Sequence, residues 1–96
     1  MGYTNPDLRL AYLRAEKNCG LKIGDKVRVK FKVKDHTLGW ACNWADQMDE
    51  FIGKEFKILE FGNTIYNSAN IRSRGILLDT EYQNYWFPYF CLEKVK

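Results

Sequence analysis

The stretch Val27 to Lys34 constrains the fold more than any other part of the chain. Val27, Val29, Phe31 and Val33 alternate with Arg28, Lys30, Lys32 and Lys34. A period of two sends successive side chains to opposite faces of a strand, so the apolar set turns inward and the cations outward. Such a strand needs neighbours to pair its backbone and a further layer to cover its apolar face. Ninety-six residues, 16% of them aromatic, suffice for one domain of that kind.

The rest of the chain supplies those partners. Asn5-Pro6 is a helix-start signal, with Asn5 as N-cap and Pro6 at the first helical position. Leu8, Ala11, Tyr12 and Ala15 fall at helical spacing, and Gly20 suits a C-cap. The spacing predicts a helix from Pro6 to about Asn18, too short to stand alone, with Leu8, Tyr12 and Leu13 as docking residues. The turn around Gly24-Asp25 leads into the alternating strand, and Asp35 to Trp44 reads as a long loop. Ala45 to Phe51 suits one helical turn, and Lys54 to Phe61 a second strand with Phe56 and Ile58 inward. Gly62-Asn63 reads as a turn, Thr64 to Ser73 as either a strand edge or a loop, and Gly75 to Leu78 as a short strand. Tyr82 to Asn84 reads as a turn, Tyr85-Trp86-Phe87 as a strand ended by Pro88, and Phe90 to Leu92 as a 3₁₀ turn or closing strand. The expected fold is mainly β: a small SH3-like barrel of about five strands over residues 21–96, preceded by an N-terminal helical extension over residues 1–20.

Charge is unevenly distributed. From Lys22 to Lys34 six cations stand against Asp25 alone, whereas Asp35, Asp46, Asp49, Glu50, Glu55 and Glu60 stand against Lys54 and Lys57. One basic strip and one acidic region are expected, an arrangement that steers partners or simply keeps the chain in solution. No apolar run approaches the ~20 residues of a membrane span. The first residues lack the apolar core of a secretory signal, and the expected location is the cytoplasm. Cys19, Cys42 and Cys91 are odd in number and widely spaced, which favours free buried thiols. A zinc site would have to draw Cys19, His36, Cys42 and Cys91 from four separate segments, so neither a metal nor a cofactor is expected.

Three groups of residues invite a functional reading. Trp40 and Trp44 lie on the long loop beside the acidic residues Asp46, Asp49 and Glu50, a set that suits capture of a protein partner. For Trp44 and Met48, four apart, capping of the barrel's open end is the favoured reading; Trp40, between Gly39 and Ala41, is open to either role. Asp49 suits a turn or cap residue. Lys26, Arg28, Lys30, Lys32 and Lys34 could follow a phosphate backbone, although lysines on an outer strand face also guard against edge pairing. Asp35, His36 and Cys42 include the side-chain types of a nucleophile pair, but no spacing fixes their geometry, and no phosphate-binding loop or hydrolase motif is present.

In order along the chain, GLKIGDKVRVKFKV, GWACNWADQMDEFIGKEFKI, GILLD and YWFPYFCLE resemble small uncharacterised proteins of bacteriophage and prophage genomes. Those share a Gly-Asp strand start, a Trp-rich loop ending in Met-Asp and Gly-Lys, and a W-x-F-P finish. The resemblance covers roughly residues 20–93 and implies an SH3-like fold and a phage origin; it carries no activity. More loosely, the Trp loop and Gly-Lys strand are similar to SH3-like barrels of the Mib/Herc2 type, at the level of fold alone. The expected function is that of a small non-catalytic binding protein of phage type in the host cytoplasm, modulating or inhibiting a host or phage protein. The alternatives are a nucleic-acid-binding barrel acting through the basic strand, and a virion or oligomeric structural component.

Overall fold

The computed structural model describes residues 6–65, 71–80 and 85–96. Helix α1 (Pro6–Lys17) is followed by strands β1 (Lys26–Val29), β2 (Glu55–Ile65), β3 (Ile71–Leu78), β4 (Tyr85–Phe87) and β5 (Leu92–Lys94). Three 3₁₀ turns, Thr37–Gly39, Asp46–Phe51 and Tyr89–Cys91, punctuate the connections. The strands form one open, five-stranded antiparallel sheet in the order β4-β3-β2-β1-β5. No helix among the described residues is long and apolar enough to cross a membrane. The expected N-cap Asn5 and turn Tyr82 to Asn84 lie outside the described residues.

The Gly-Asp start works through a compact turn. Asp25 donates its N–H to the Lys22 carbonyl at 3.0 Å, while its carboxylate accepts from the Lys22 N–H at 3.0 Å. Gly24 sits at φ +92, a conformation that glycine adopts without a Cβ penalty. The chain thereby enters β1 with Val27 and Val29 fully buried.

β1 then stops sooner than the alternation predicts. It ends at Val29, where the Lys30 N–H donates to the Cys91 carbonyl at 2.8 Å, and Phe31 turns outward at 46% exposure. Val33 is again buried, as part of a loop. Lys30, Lys32 and Lys34 are therefore not one face of a regular strand. Pairing with β2 over Lys26 to Arg28 and with β5 over Val27 to Val29 is already complete, and the chain must leave the sheet to carry Trp40 and Trp44 inward.

β2 is longer than expected. Gly62-Asn63 lies within the strand rather than at a turn, and Asn63–Ile65 pairs with Ile71–Ser73. Gly62 is needed for packing: a Cβ there would lie 2.7 Å from the Trp86 ring. The ladder is broken twice, once where Leu59 is extra on β2 and once where Arg74 and Gly75 on β3 face Gly62 alone. Such bulges bend and twist a sheet. Inward residues Ile58, Ile76, Leu78 and Phe87 form the core with Val27, Val29, Trp40 and Met48.

The second bulge joins the helix, the Trp loop and the sheet. Trp40 is fully buried, and its indole N–H donates to the Arg74 carbonyl. The Ala41 N–H donates to the Ser73 carbonyl at 2.9 Å. The Ser73 hydroxyl accepts from the Gly75 N–H at 3.0 Å and donates to the Glu16 carboxylate at 2.9 Å. Helix α1 docks through Tyr12, Leu13 and Glu16, all 2% exposed or less, while Leu8 stays 38% exposed. The docking face is thus rotated from the one the apolar spacing marks, because Glu16 and Tyr12 have polar partners to meet. The Tyr12 hydroxyl accepts from the Tyr89 N–H at 3.1 Å, and its ring lies 5.2 Å from that of Tyr89.

Burial raises the Glu16 carboxyl above the ordinary carboxylate range, more than bonds from Ser73, Tyr12 and Asn63 lower it. The native chain consequently holds this proton more tightly than the unfolded chain. The stabilisation from this group is full below the ordinary glutamate value and is lost as pH rises through the raised one. Chemical denaturation from about pH 4 to about pH 8 is expected to give a native state that loses stability with rising pH relative to Glu16→Gln. Identical pH profiles for the two proteins would refute this.

Candidate functional site

The Trp loop builds a pocket, although not with its tryptophans. Asp35 accepts the Trp44 backbone N–H at 2.6 Å, and Asp49 accepts the Trp44 indole N–H at 2.7 Å. The Trp44 ring meets Phe87 edge-on at 5.7 Å. Met48 is buried beneath the same 3₁₀ turn, and its Sδ accepts from the Ala45 N–H at 3.1 Å. Trp44 and Met48 therefore cap the core. Trp40 does so too: exposure of this ring to a partner, one of the two roles open to it, is overturned, because the ring is fully buried with its indole N–H on the Arg74 carbonyl at the β3 bulge.

With these plugs in place, the turn Asp46–Phe51 presents its other side. Phe51, Phe56 and Tyr85 form a wall, with Phe51 5.3 Å from Phe56 and 5.7 Å from Tyr85 between ring centres. Gln47, Glu50, Lys54 and Thr80 complete a pocket of about 430 Å³. Its size and its mix of aromatic walls with a few polar groups are those of a ligand-binding cleft.

The five expected protein-binding residues thus divide. Trp40 and Trp44 are buried in the core. Asp49 holds Trp44 and reaches Lys32 at 3.7 Å, a structural role. Asp46 and Glu50 are exposed, and Glu50 lines the pocket. Phe51 and Tyr85 were not singled out from sequence as site walls. The available signal was a half-buried aromatic at the end of a short turn and another at the start of a three-residue strand.

The cations from Lys26 to Lys34, on β1 and the loop that follows it, are partly engaged. Arg28 reaches Glu55 at 2.6 Å and Glu93 at 3.4 Å, and Lys32 reaches Asp49. Lys30 lies 5.7 Å from the centre of the Phe31 ring. Lys26 and Lys34 are exposed. Exposed pairs of this kind contribute only about 0–1 kcal/mol to stability, but each lowers the positive field available to a phosphate backbone.

Burial pushes all three thiols up, Cys91 to about 12. A nucleophilic cysteine needs the opposite shift. Asp35, beside His36, is occupied by the Trp44 backbone. Among the described residues, no three His, Cys, Asp or Glu side chains are grouped so as to hold a metal ion.

Compared with protein-family models, with curated proteins and with solved structures, the chain gives no match.

Proposed function

We propose that this chain is a small SH3-like barrel of phage type that acts without catalysis, by holding part of a host or phage protein in the pocket walled by Phe51, Phe56 and Tyr85. Support for the barrel comes from the strand order, in which β5 returns beside β1, from the two bulges that curl β2 and β3, and from the 3₁₀ turn just before the last strand. The phage assignment is supported by the sequence resemblance alone.

The observation that carries the binding reading is the pocket itself: an aromatic cleft of about 430 Å³ with Glu50 on its lining and Asp46 exposed on the same turn. Aromatic walls supply most of the energy of such a contact, while rim charges govern encounter and selectivity. The chemistry favours a partner segment with an apolar side chain flanked by cations. Assembly into a virion component has less support, because the two outermost strands, β4 and β5, are three residues each and offer little edge for pairing.

The test uses two exposed sites that leave the core intact. Asp46→Lys combined with Glu50→Lys is expected to weaken partner binding by roughly tenfold, with an unchanged melting temperature. Amide resonances of Glu50, Phe51, Phe56 and Tyr85 are expected to shift on titration with the partner. Binding that ignores both substitutions and leaves these resonances still would sink the reading.

A further inference from the structure

A second concave site lies on the outward face of β2, β3 and β4. Glu60, Leu77 and Trp86 are in register across these strands, and Phe87, next along β4, turns into the core. Arg72 and Arg74, two apart on β3, both point outward, with buried Ser73 between them. Trp86 lies across Gly62, where the absence of a Cβ lets the ring settle against the strand. The Arg74 guanidinium stands 5.9 Å from the Trp86 ring centre. Glu60, Phe61, Gly62, Asn63, Arg72, Arg74 and Trp86 together line a pocket of about 210 Å³.

This lining differs in kind from that of the first pocket. It is mostly polar and holds two guanidinium groups, and neither Arg72 nor Arg74 has an ion-pair partner among the described residues. Planar guanidinium groups beside an indole form a surface on which a flat, π-faced ligand can stack while its anionic group is neutralised. Trp86 is half-buried, whereas Trp40 and Trp44 are sealed in the core. Among the described residues, Glu60 is the one carboxylate on the lining. It would repel a bare polyanion, but it can accept a hydrogen bond from the amino group of a base.

We propose that this face binds single-stranded nucleic acid: a base stacks on the Trp86–Arg74 surface, Arg72 and Arg74 take the adjoining phosphates, and Glu60 accepts from an exocyclic amino group. A duplex keeps its bases stacked within itself and cannot offer one to the indole. The cationic contact with nucleic acid is thereby moved from β1 and the segment after it, where Arg28 and Lys32 already face carboxylates, to the opposite part of the strand order. The site does not depend on the protein-binding pocket and stands or falls separately from it.

Labelled oligocytidylate, in both its ribo and deoxy forms, provides the test. Binding is followed by anisotropy and by quenching of intrinsic tryptophan fluorescence at low and moderate salt. Saturable binding is expected, weakening with salt, with quenching that disappears in Trp86→Phe because the two remaining tryptophans are buried. Trp86→Ala and Gly62→Ala, the latter displacing the ring, are each expected to weaken binding roughly tenfold. Arg72→Gln with Arg74→Gln, exposed changes that spare the core, is expected to weaken it and flatten the salt dependence. Oligothymidylate, which lacks the amino group, is expected to bind less well than oligodeoxycytidylate. The proposal is overturned by absence of binding at low salt, or by binding that survives the arginine substitutions. Loss on Lys30→Glu with Lys32→Glu alone would also overturn it, as would equal competition by duplex DNA or polyglutamate. The last result would assign the arginines to an acidic protein.

Discussion

Trp40→Ala is expected to remove a large share of the stability of this fold, about 3–5 kcal/mol for loss of a fully buried large aromatic, against the 5–15 kcal/mol or so typical of a small domain. Three consequences combine at this one position. The indole fills the space between the long loop and the sheet with no exposed surface. Its N–H satisfies the Arg74 carbonyl, which the bulge in β3 turns toward the interior. It also fixes the loop residues that follow, including Ala41, whose N–H donates to the Ser73 carbonyl. Trp40→Phe separates these effects, since it keeps most of the ring but leaves the carbonyl without its donor; about 1–3 kcal/mol is expected from that loss. Urea denaturation of the three proteins measures the series. A Trp40→Ala protein as stable as its parent would contradict the burial on which the fold rests.

Gly75→Ala is expected to be comparably damaging although it adds a single methyl group. Gly75 sits at φ +106, where an L side chain is strained by about 1–3 kcal/mol. The added Cβ would press on the Phe87 carbonyl and lie 2.8 Å from the Trp40 indole nitrogen. Overpacking of that kind costs roughly a further 1–3 kcal/mol. The same glycine donates its N–H to Ser73, which in turn holds Glu16 of the helix. Its displacement therefore loosens the helix as well as the sheet. Thermal melting followed by circular dichroism is expected to show a much lowered midpoint for Gly75→Ala. Gly20→Ala serves as the comparison, since Gly20 also has positive φ but nothing within 4 Å of the added carbon; it is expected to carry the backbone strain alone. Equal midpoints for the two would mean that the close approach at Gly75 costs nothing. Because Gly75 and Trp40 touch, the two lesions should not add in the double variant.

The mainly β character, the N-terminal helix and most strand positions were legible because they depend on local pattern. Val27 and Val29 alternate with cations, Gly24-Asp25 makes a turn that few other dipeptides make, and Pro88 ends the strand Tyr85–Phe87. The misreadings share one origin. Gly62-Asn63 resembles a turn, Phe31 resembles the next inward residue, and Trp40 on a polar loop resembles an exposed anchor, as long as each is judged from its neighbours in sequence. All three are decided by residues far along the chain: Gly62 by Trp86, the end of β1 by β5 and by the inward path of the loop, and Trp40 by the carbonyl of Arg74.

The candidate sites divide in the same way. Acidic residues at Asp46 and Glu50 could be read as surface from their charge alone, and they are on the surface. The walls that turn this surface into a pocket come from a turn, the start of β2 and the start of β4. Arg72, Arg74 and Trp86 become one face only through the pairing of β3 with β2 and β4.

The sequence by itself determined the N-terminal helix, the positions of most strands though not their ends, the sharp turn at Gly24, and that 15 aromatic residues must largely find an interior. Tertiary structure alone decided which of those aromatics are plugs and which are walls. Burial of an indole depends on whether its N–H meets a partner: Trp40 and Trp44 meet Arg74 and Asp49 and are buried, while Trp86 stays half-buried at the second pocket, and Phe51 and Tyr85 wall the first pocket because of where their turn and strand end.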